Sequence, residues 1–443
     1  MVPVLSRIPV PQLLLGIDVG SSSIKVTVVE AATGVEVGSA SSVGPFVTRD
    51  GRTEATVDSL LALVRHVLGR LDVDLSGRVV GVGIAGMAES GAPVAADGTA
   101  RAPVIAWHDR RGEAVAARLT AAFGDDLDRS IGQRLRYVAT VAKLGWLVEH
   151  GLGVAPAGWR WLGVPELVLR ALTGFEATEW SLAARTGCLD VGRRRWLPDV
   201  AAAAGFDVGV FPPVMAAGQV MGWVTEEAAA WSGLPAGVPV TVAGHDQVVG
   251  LVGSGAGVDD LVDSVGTAET VGGRSTVLPN IEAALAAGVA VGLFAGGHGW
   301  VAAASAARSG PAVDVAAAAL GRTPAELDRL VAAGATVLDA PGLLESLRRR
   351  EPPALPAGDA ADVWATLLDA LAAETAAAVA RVTTVLGPRR GLVVFGGGSV
   401  SEPLLAAKAR HVPIPVRRAR VTEAVARGAA LYGGVASGTP PIW

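Results

Sequence analysis

The chain has 443 residues, enough for two domains that each bury a core, with 37 basic against 42 acidic residues and a formal net charge of -5. That balance shows no basic stripe of the kind a nucleic-acid partner needs. The single cysteine, Cys188, excludes an internal disulfide and any cysteine-based metal cluster, which fits a reducing, cytoplasmic compartment.

An apolar tract at residues 8–15 is broken by Pro9 and Pro11, and no small-residue cleavage site follows before Asp18, so it does not read as a signal peptide. Residues 13–48 read as a β-meander whose first turn is the most informative stretch of the chain. Leu13-Leu14-Leu15 runs towards Asp18. Gly20 and three hydroxyl residues, Ser21, Ser22 and Ser23, then precede the β-branched run Val26-Thr27-Val28-Val29. Strand, glycine turn, strand is a hairpin signature. Small residues, hydroxyls and backbone N–H groups let a phosphate approach closely. Asp18 at the strand end can hold hydrated Mg²⁺ beside that phosphate, and Lys25 adds a positive charge nearby. A plain glycine-turn hairpin is the ordinary alternative.

Residues 56–71 place Val57, Leu60, Leu61, Val64, Val67 and Leu68 at helical spacing. A short buried strand at 79–84 ends at Gly86. Helices are expected at 111–123, 139–150 and 164–172, the last stopped by Gly174. Residues 182–197 mix turn residues with Arg193-Arg194-Arg195. A strand at 238–243 leads into Gly244-His245-Asp246, and a helix starts at 247. Residues 283–307 carry no charged residue, yet Gly296-Gly297-His298-Gly299 divides them into two buried strands, 289–294 and 300–304, rather than a membrane span. Further helices are expected near 312–334 and 362–386, a strand at 391–395, and a loop at 340–359. Strands alternating with helices place the chain in the α/β class with mixed or parallel sheets. The boundary is expected near 255, giving domains 1–255 and 256–443.

The phosphate-type turn occurs twice. Asp263 to Thr270 reads D-S-V-G-T-A-E-T, so Val265-Gly266-Thr267 corresponds to Val19-Gly20-Ser21. Two such turns in two halves suggest a duplicated α/β unit with a nucleotide between the copies. Asp246, after a buried strand and at a helix start, is placed as a general base at a cleft edge or as a helix N-cap. Trp107-His108-Asp109-Arg110-Arg111 combines a flat apolar face with directed hydrogen-bonding groups, which suits a sugar or polyol; a surface ion pair beside a packed Trp is the alternative. Gly396-Gly397-Gly398-Ser399 after a strand offers backbone to a flat ring or a phosphate, or is a plain turn. His108 and His245 lack ligand spacing, and no G-x-x-x-x-G-K-[ST] is present.

Taken in order, these motifs resemble the FGGY carbohydrate kinases, the group holding xylulokinases and glycerol kinases. The resemblance runs from L-G-I-D-V-G-S-S-S-I-K at 15–25 through G-V-G-I-A-G-M at 81–87 and W-H-D-R-R at 107–111. It continues with P-E-L-V-L-R-A-L-T-G-F-E-A-T at 165–178, A-R-T-G-C-L-D at 184–190 and A-G-H-D-Q at 243–247. It ends with S-V-G-T at 264–267, F-G-G-G-S at 395–399 and E-A-V-A-R-G-A-A at 423–430. It implies an α/β fold of two ribonuclease H-like (actin-like ATPase) domains around a central cleft, with ATP and Mg²⁺ mainly on the second domain and sugar on the first. Asp18 would position Mg²⁺. Gly20, Ser21, Ser22, Ser23 and Lys25 would face the phosphates, as would Gly266 and Thr267. Gly397, Gly398 and Ser399 would form the adenosine loop. Asp246 would be the catalytic base, and Met87, Glu89, Trp107, Asp109, Asp246 and Gln247 would line the sugar site.

The chain departs from its relatives at Met87-Ala88-Glu89, where xylulokinases usually show Gln-Met-His and glycerol kinases Gln-Arg-Glu. The family's Gly-Glu-Arg loop is not recognisable between Val337 and Ala361. The expected activity is phosphoryl transfer from ATP to a hydroxyl of a ketose, foremost a ketopentose. The alternatives are a polyol kinase of glycerol or erythritol type and a catalytically weak sugar-binding homologue. A sugar-responsive DNA-binding regulator is disfavoured by the short run before the first strand. An actin-like scaffold would not need the Asp246 and Trp107 elements together. The expected partner is a small sugar or polyol, with no nucleic acid and no membrane; a homodimer is compatible with this reading.

Overall fold

The computed structural model describes residues 11–152, 158–307, 309–349, 353–421 and 423–439. The start of the apolar tract, with Pro9, lies outside the described residues. Strand Leu13–Val19 is buried along its whole length because both of its faces are covered. Alternate residues take opposite sides of a strand. Leu13, Leu15, Ile17 and Val19 share a core with Leu60 and Val64 of helix Val57–Leu68 and Leu167 of helix Val164–Thr173. Leu14 and Gly16 face the closing helix Ala424–Ala436.

Two large sheets repeat one plan. In the first, Glu36–Val43, Ser23–Glu30 and Leu13–Val19 run antiparallel, and Val79–Gly86 and Val240–His245 follow in parallel. In the second, Trp300–Ser305, Glu269–Ser275 and Asp260–Val265 run antiparallel, and Gly391–Phe395 and Val416–Arg418 follow in parallel; Ala290–Leu293 is added at the edge. The two similar turns therefore join the same pair of strands in each sheet. A smaller five-stranded sheet, which includes Gly91–Ala95, Val104–Ile105 and Trp159–Gly163, flanks the first.

Several elements differ from expectation. The helix expected at 111–123 is Glu113–Ile131, interrupted at Gly124, whose φ of 59° breaks the helical run. Residues 312–334 divide into Ser309–Ala319 and Pro324–Ala333, the second opened by a capping box between Thr323 and Glu326. The expected loop at 340–359 contains a helix, Leu343–Arg348, because Leu343, Leu344 and Leu347 insert into the second core. Residues 182–197 hold a small hairpin, Leu189–Asp190 with Arg195–Trp196. Helix Ala360–Leu386 has the length and apolarity of a membrane span, but Leu367, Leu371, Val379 and Val382 are buried against the second sheet.

The closing helix approaches its neighbours backbone to backbone. A Cβ on Gly16 would lie 1.8 Å from the Ala426 carbonyl oxygen, one on Gly83 1.8 Å from that of Ala429, and one on Gly253 1.7 Å from that of Ala424. Helix Ala424–Ala436, from the far side of the expected boundary at 255, thus lies on the first sheet and on helix Asp246–Gly253.

Adding one methyl at this seam must push the helix off the sheet. Gly83→Ala is expected to cost about 3 kcal/mol, at the upper end of ordinary overpacking. Gly257→Ala, where the new atom meets Asp260 at an ordinary 3.5 Å, should stay within about 1 kcal/mol of the parent. Urea unfolding midpoints check both.

Candidate active site

Each turn sits where its hairpin leaves the sheet. Val19 pairs with Ile24 at the end of the first hairpin and Val265 with Glu269 at the end of the second. The turns meet: Ser22 Oγ and Thr267 Oγ1 are 2.8 Å apart, although 245 residues separate them in sequence. Ser309 Oγ donates to the Gly266 carbonyl oxygen at 3.5 Å, which places the start of helix Ser309–Ala319 against the second turn. The first-turn of a helix presents unpaired N–H groups suited to an anion. The glycine loop closes on the same place. Gly396 has φ 92°, and a Cβ on it would lie 2.6 Å from the Val265 carbonyl oxygen; a Cβ on Gly397 would meet nothing within 4 Å. Ser399 Oγ donates to the Gly396 carbonyl oxygen at 2.7 Å and holds the loop's shape. Gly20–Ser23, Gly266, Thr267, Gly397, Gly398 and Ser399 are therefore gathered in one region.

Two carboxylates flank the first turn. Asp18 is buried, and its Oδ1 has no hydrogen-bond partner. Burial and then the neighbouring charge of Asp246 push its carboxyl up to about 8. Asp246 is the first residue of helix Asp246–Gly253, and the capping position belongs to His245. Its Oδ1 accepts the Gln247 N–H at 2.6 Å and lies 3.1 Å from His245 Nε2; no bond to Oδ2 is formed among the described residues. Burial raises the Asp246 carboxyl, but the His245 charge and hydrogen bond, the Gln247 N–H and Arg185 together hold it below the usual carboxylate range.

The backbone before Asp246 is fixed from both halves. Ser181 Oγ accepts the His245 N–H at 2.9 Å, and buried Glu179 accepts the Ser181 N–H and, from the second half, the Gly296 N–H, each at 2.7 Å. Gly244, at φ 123°, leaves the space that this carboxylate occupies.

On the acceptor side, Trp107 Nε1 donates to Ser21 Oγ at 3.4 Å, so the indole touches the first turn. Glu89 has φ 65°, a strained position for a non-glycine residue, and Arg185 Nη2 donates to its Oε1 at 2.5 Å. Met87 is buried beside it. Gln247 Nε2 reaches across to Thr270 Oγ1 at 3.2 Å. One expectation is corrected. Asp109 is 2% exposed and accepts from the Thr53 N–H at 2.7 Å and from Arg111, so it braces the framework instead of facing an acceptor. Lys25 pairs with Glu423 at 2.7 Å, which fastens the closing helix to the first hairpin.

Sequence reasoning missed Arg185, Ser309 and a buried cluster behind the second turn. Lys408 Nζ contacts Asp263 and donates to Glu269 Oε1 at 2.8 Å, and Thr375 Oγ1 donates to the same oxygen at 2.6 Å. Asp263 and Glu269 bracket the turn that holds Thr267, and Lys408 lies on helix Glu402–His411, just beyond the glycine loop. Among the described residues no group of three or more His, Cys, Asp or Glu side chains could by itself hold a metal. The unpartnered oxygen of Asp18 does fit one contact to a hydrated divalent cation.

The Asp18 shift has a stability consequence. An unfolded Asp loses its proton near 3.8, whereas the folded group keeps its proton to about 8. Between those values folding takes up a proton, so this group's contribution falls as pH rises. With EDTA present, Asp18→Asn should gain stability over the parent steadily from pH 4 to pH 8. Urea midpoints at pH 5 and pH 8 check it; an equal difference at both would contradict the shift.

A family model described as the FGGY family of carbohydrate kinases, N-terminal domain, matches residues 13–253. The chain is 27% identical over 276 residues to an L-fuculokinase of Escherichia coli (strain K12), covering 60% of this chain and 57% of that protein. It thus spans little more than half the length of this curated relative. It superposes on a xylulose kinase from Brucella ovis with a TM-score of 0.81 at 22% identity, over 96% of this chain and 91% of that one. For a glycerol kinase from Plasmodium falciparum with ADP the values are 0.78, 16%, 96% and 90%. At these identities the solved structures speak to the fold, which is the mixed α/β, actin-like ATPase fold of sugar kinases. The chain belongs to the FGGY family of carbohydrate kinases.

Proposed function

We propose that the protein transfers the γ-phosphoryl group of ATP to a hydroxyl of a ketose. The observation that carries this reading is the convergence of the two duplicated turns, through Ser22 and Thr267, beside the Asp18–Asp246 pair. The names of the relatives point the same way, L-fuculose for one and xylulose for another. A ketopentose is the foremost acceptor. Ala88 stands where glycerol kinases carry an Arg, which counts against the polyol alternative.

Asp246 is held ionised by His245, Gln247 and Arg185, so its Oδ2 can take the proton of an acceptor hydroxyl. The freed oxygen attacks the γ-phosphorus in line, the bond to the bridging oxygen breaks, and its electron pair leaves with ADP. The N–H groups of residues 20–23 and 266–267 and the hydroxyls of Ser22 and Thr267 would grip the phosphate oxygens. Trp107, tied to Ser21, would cover the C–H face of the acceptor and keep it in register with the phosphates. Asp18 would hold Mg²⁺ through its unpartnered oxygen. When bound, that ion supplies positive charge against the phosphate oxygens.

Asp246→Asn should lower kcat by about 10²–10⁴-fold and leave the ATP KM nearly unchanged. Coupled ADP release, screened over ketoses, aldoses and polyols and then repeated with the variant on the best acceptor, checks it. Near-parental turnover would remove Asp246 from the base role. A glycerol-type acceptor outperforming every ketose would favour the polyol reading.

A further inference from the structure

The strand that delivers Asp246 is irregular at its end. Val240–His245 slips its register with Val79–Gly86 between Val242 and Gly244, and Gly244 takes φ 123°. A bulge re-aims the residues that follow it. Here those residues are His245 and Asp246, so pairing along the strand does not by itself set their direction.

A chain of hydrogen bonds sets it instead, and that chain crosses between the two halves. Ser181 Oγ accepts the His245 N–H at 2.9 Å and donates to Glu179 Oε2 at 2.5 Å. The same Oε2 accepts the Ser181 N–H, and Oε1 accepts the Gly296 N–H, each at 2.7 Å. A serine hydroxyl has one proton, and with its oxygen turned to the His245 N–H that proton goes to Glu179. Glu179 is 0% exposed and Ser181 2%. Three uncharged donors converge on Glu179, the pattern of an acceptor-only carboxylate.

The far end of the chain belongs to the second half. A Cβ on Gly297 would lie 2.7 Å from Trp180 Cδ1, and Trp300 Nε1 donates to the Val191 carbonyl oxygen at 3.1 Å. Leu293 shares a core with Ala183, Ala184 and Leu189. The hairpin of Ala290–Leu293 and Trp300–Ser305 therefore rests on the segment that carries Glu179 and Ser181, and its other strand neighbour, Glu269–Ser275, begins just after the second phosphate turn.

We propose that Glu179 and Ser181 are positioning residues for Asp246, and that the Gly296 N–H ties this placement to the half that bears Gly266 and Thr267. The proposal rests on the kinase reading and deepens it: Asp246 is aimed at the acceptor while the phosphate-gripping half is seated. Burial pushes the Glu179 carboxyl up to about 7, against the pull of the Ser181 hydroxyl and the N–H groups of Gly296, Ser181 and Trp180. His245 adjoins the network, and Tyr432 of the closing helix feels the Glu179 charge. Below that pH a proton on Glu179 takes the place of an incoming donor, so the relay fails in acid.

Glu179→Gln and Ser181→Ala in the full chain test this. The first keeps the shape but turns an NH₂ group on a donor; the second removes the relay oxygen. Each should lower kcat about ten- to a hundredfold, the cost of a misplaced catalytic group, with the KM for ATP and for the best acceptor within about twofold. The parent's kcat should fall below pH 7, and this limb should be absent from Glu179→Gln. Hydrogen exchange read by mass spectrometry over residues 294–299 separates the two links: it should quicken severalfold in Glu179→Gln and stay near the parent in Ser181→Ala. Near-parental kcat in either variant, or losses confined to KM, would overturn the positioning role. An acid limb that persists in Glu179→Gln would belong to His245 or Asp18 and would equally overturn it. Loss of kcat matched by an equal loss of folded protein in urea would assign both residues to stability alone. Quickened exchange in Glu179→Gln, with a parent that turns over no sugar or polyol, would overturn the kinase reading and leave the link between the halves standing.

Discussion

The contact on which the rest of the structure depends is the glycine seam beneath the closing helix. Gly16 and Gly83 on two strands and Gly253 on the helix after Asp246 let the backbone of Ala424–Ala436 lie directly on them. From the helix side, a Cβ on Gly428 would lie 2.4 Å from the Val249 carbonyl oxygen, and one on Gly433 2.7 Å from Val82 C. Only residues without a side chain permit so close an approach. This helix is thereby fixed to the strand that carries Asp18 and to the helix that begins at Asp246. Its entry is pinned by Glu423, which pairs with Lys25 on the partner strand of Asp18. The distance between the two carboxylates is thus set by backbone contacts, which are stiffer than side-chain ones.

Charge follows the same logic. The chain has three lysines among its 37 basic residues, and each has a defined positioning contact. Lys25 holds the closing helix. Lys143 is fully buried and donates to the carbonyl oxygens of Trp107 at 3.2 Å and Tyr137 at 3.4 Å, and also to that of Val138, so it fixes the loop that bears the indole. Lys408 secures the second turn through Asp263 and Glu269. A compact ammonium with three donors fits a cage of converging oxygens that a planar guanidinium does not. Asp18 is the contrast: it is buried beside a second carboxylate, and its Oδ1 has no partner.

The class and most of the architecture were legible in the chain, because strands, glycine turns and their duplication are local patterns. The match of Val19-Gly20-Ser21 with Val265-Gly266-Thr267 became two sheets of one topology. The helix at Leu343–Arg348 was hidden because a Pro- and Arg-rich context masks three leucines whose burial is decided by the second core. Ser309-Gly310-Pro311 carries a readable helix start, a hydroxyl residue two positions before a proline, and could have marked the element against the second turn. Asp109 was misread because sequence shows which charges are present but not which partner reaches them first.

The central claim is that the two joined turns and Asp246 pass a phosphoryl group to a sugar hydroxyl and not to water. Phosphorus NMR of the full chain incubated with ATP, Mg²⁺ and a ketose tests it most directly. The account predicts a phosphomonoester signal of the sugar growing in step with ADP, with little inorganic phosphate. ADP accompanied only by inorganic phosphate, or no consumption of ATP with any sugar or polyol, would contradict it.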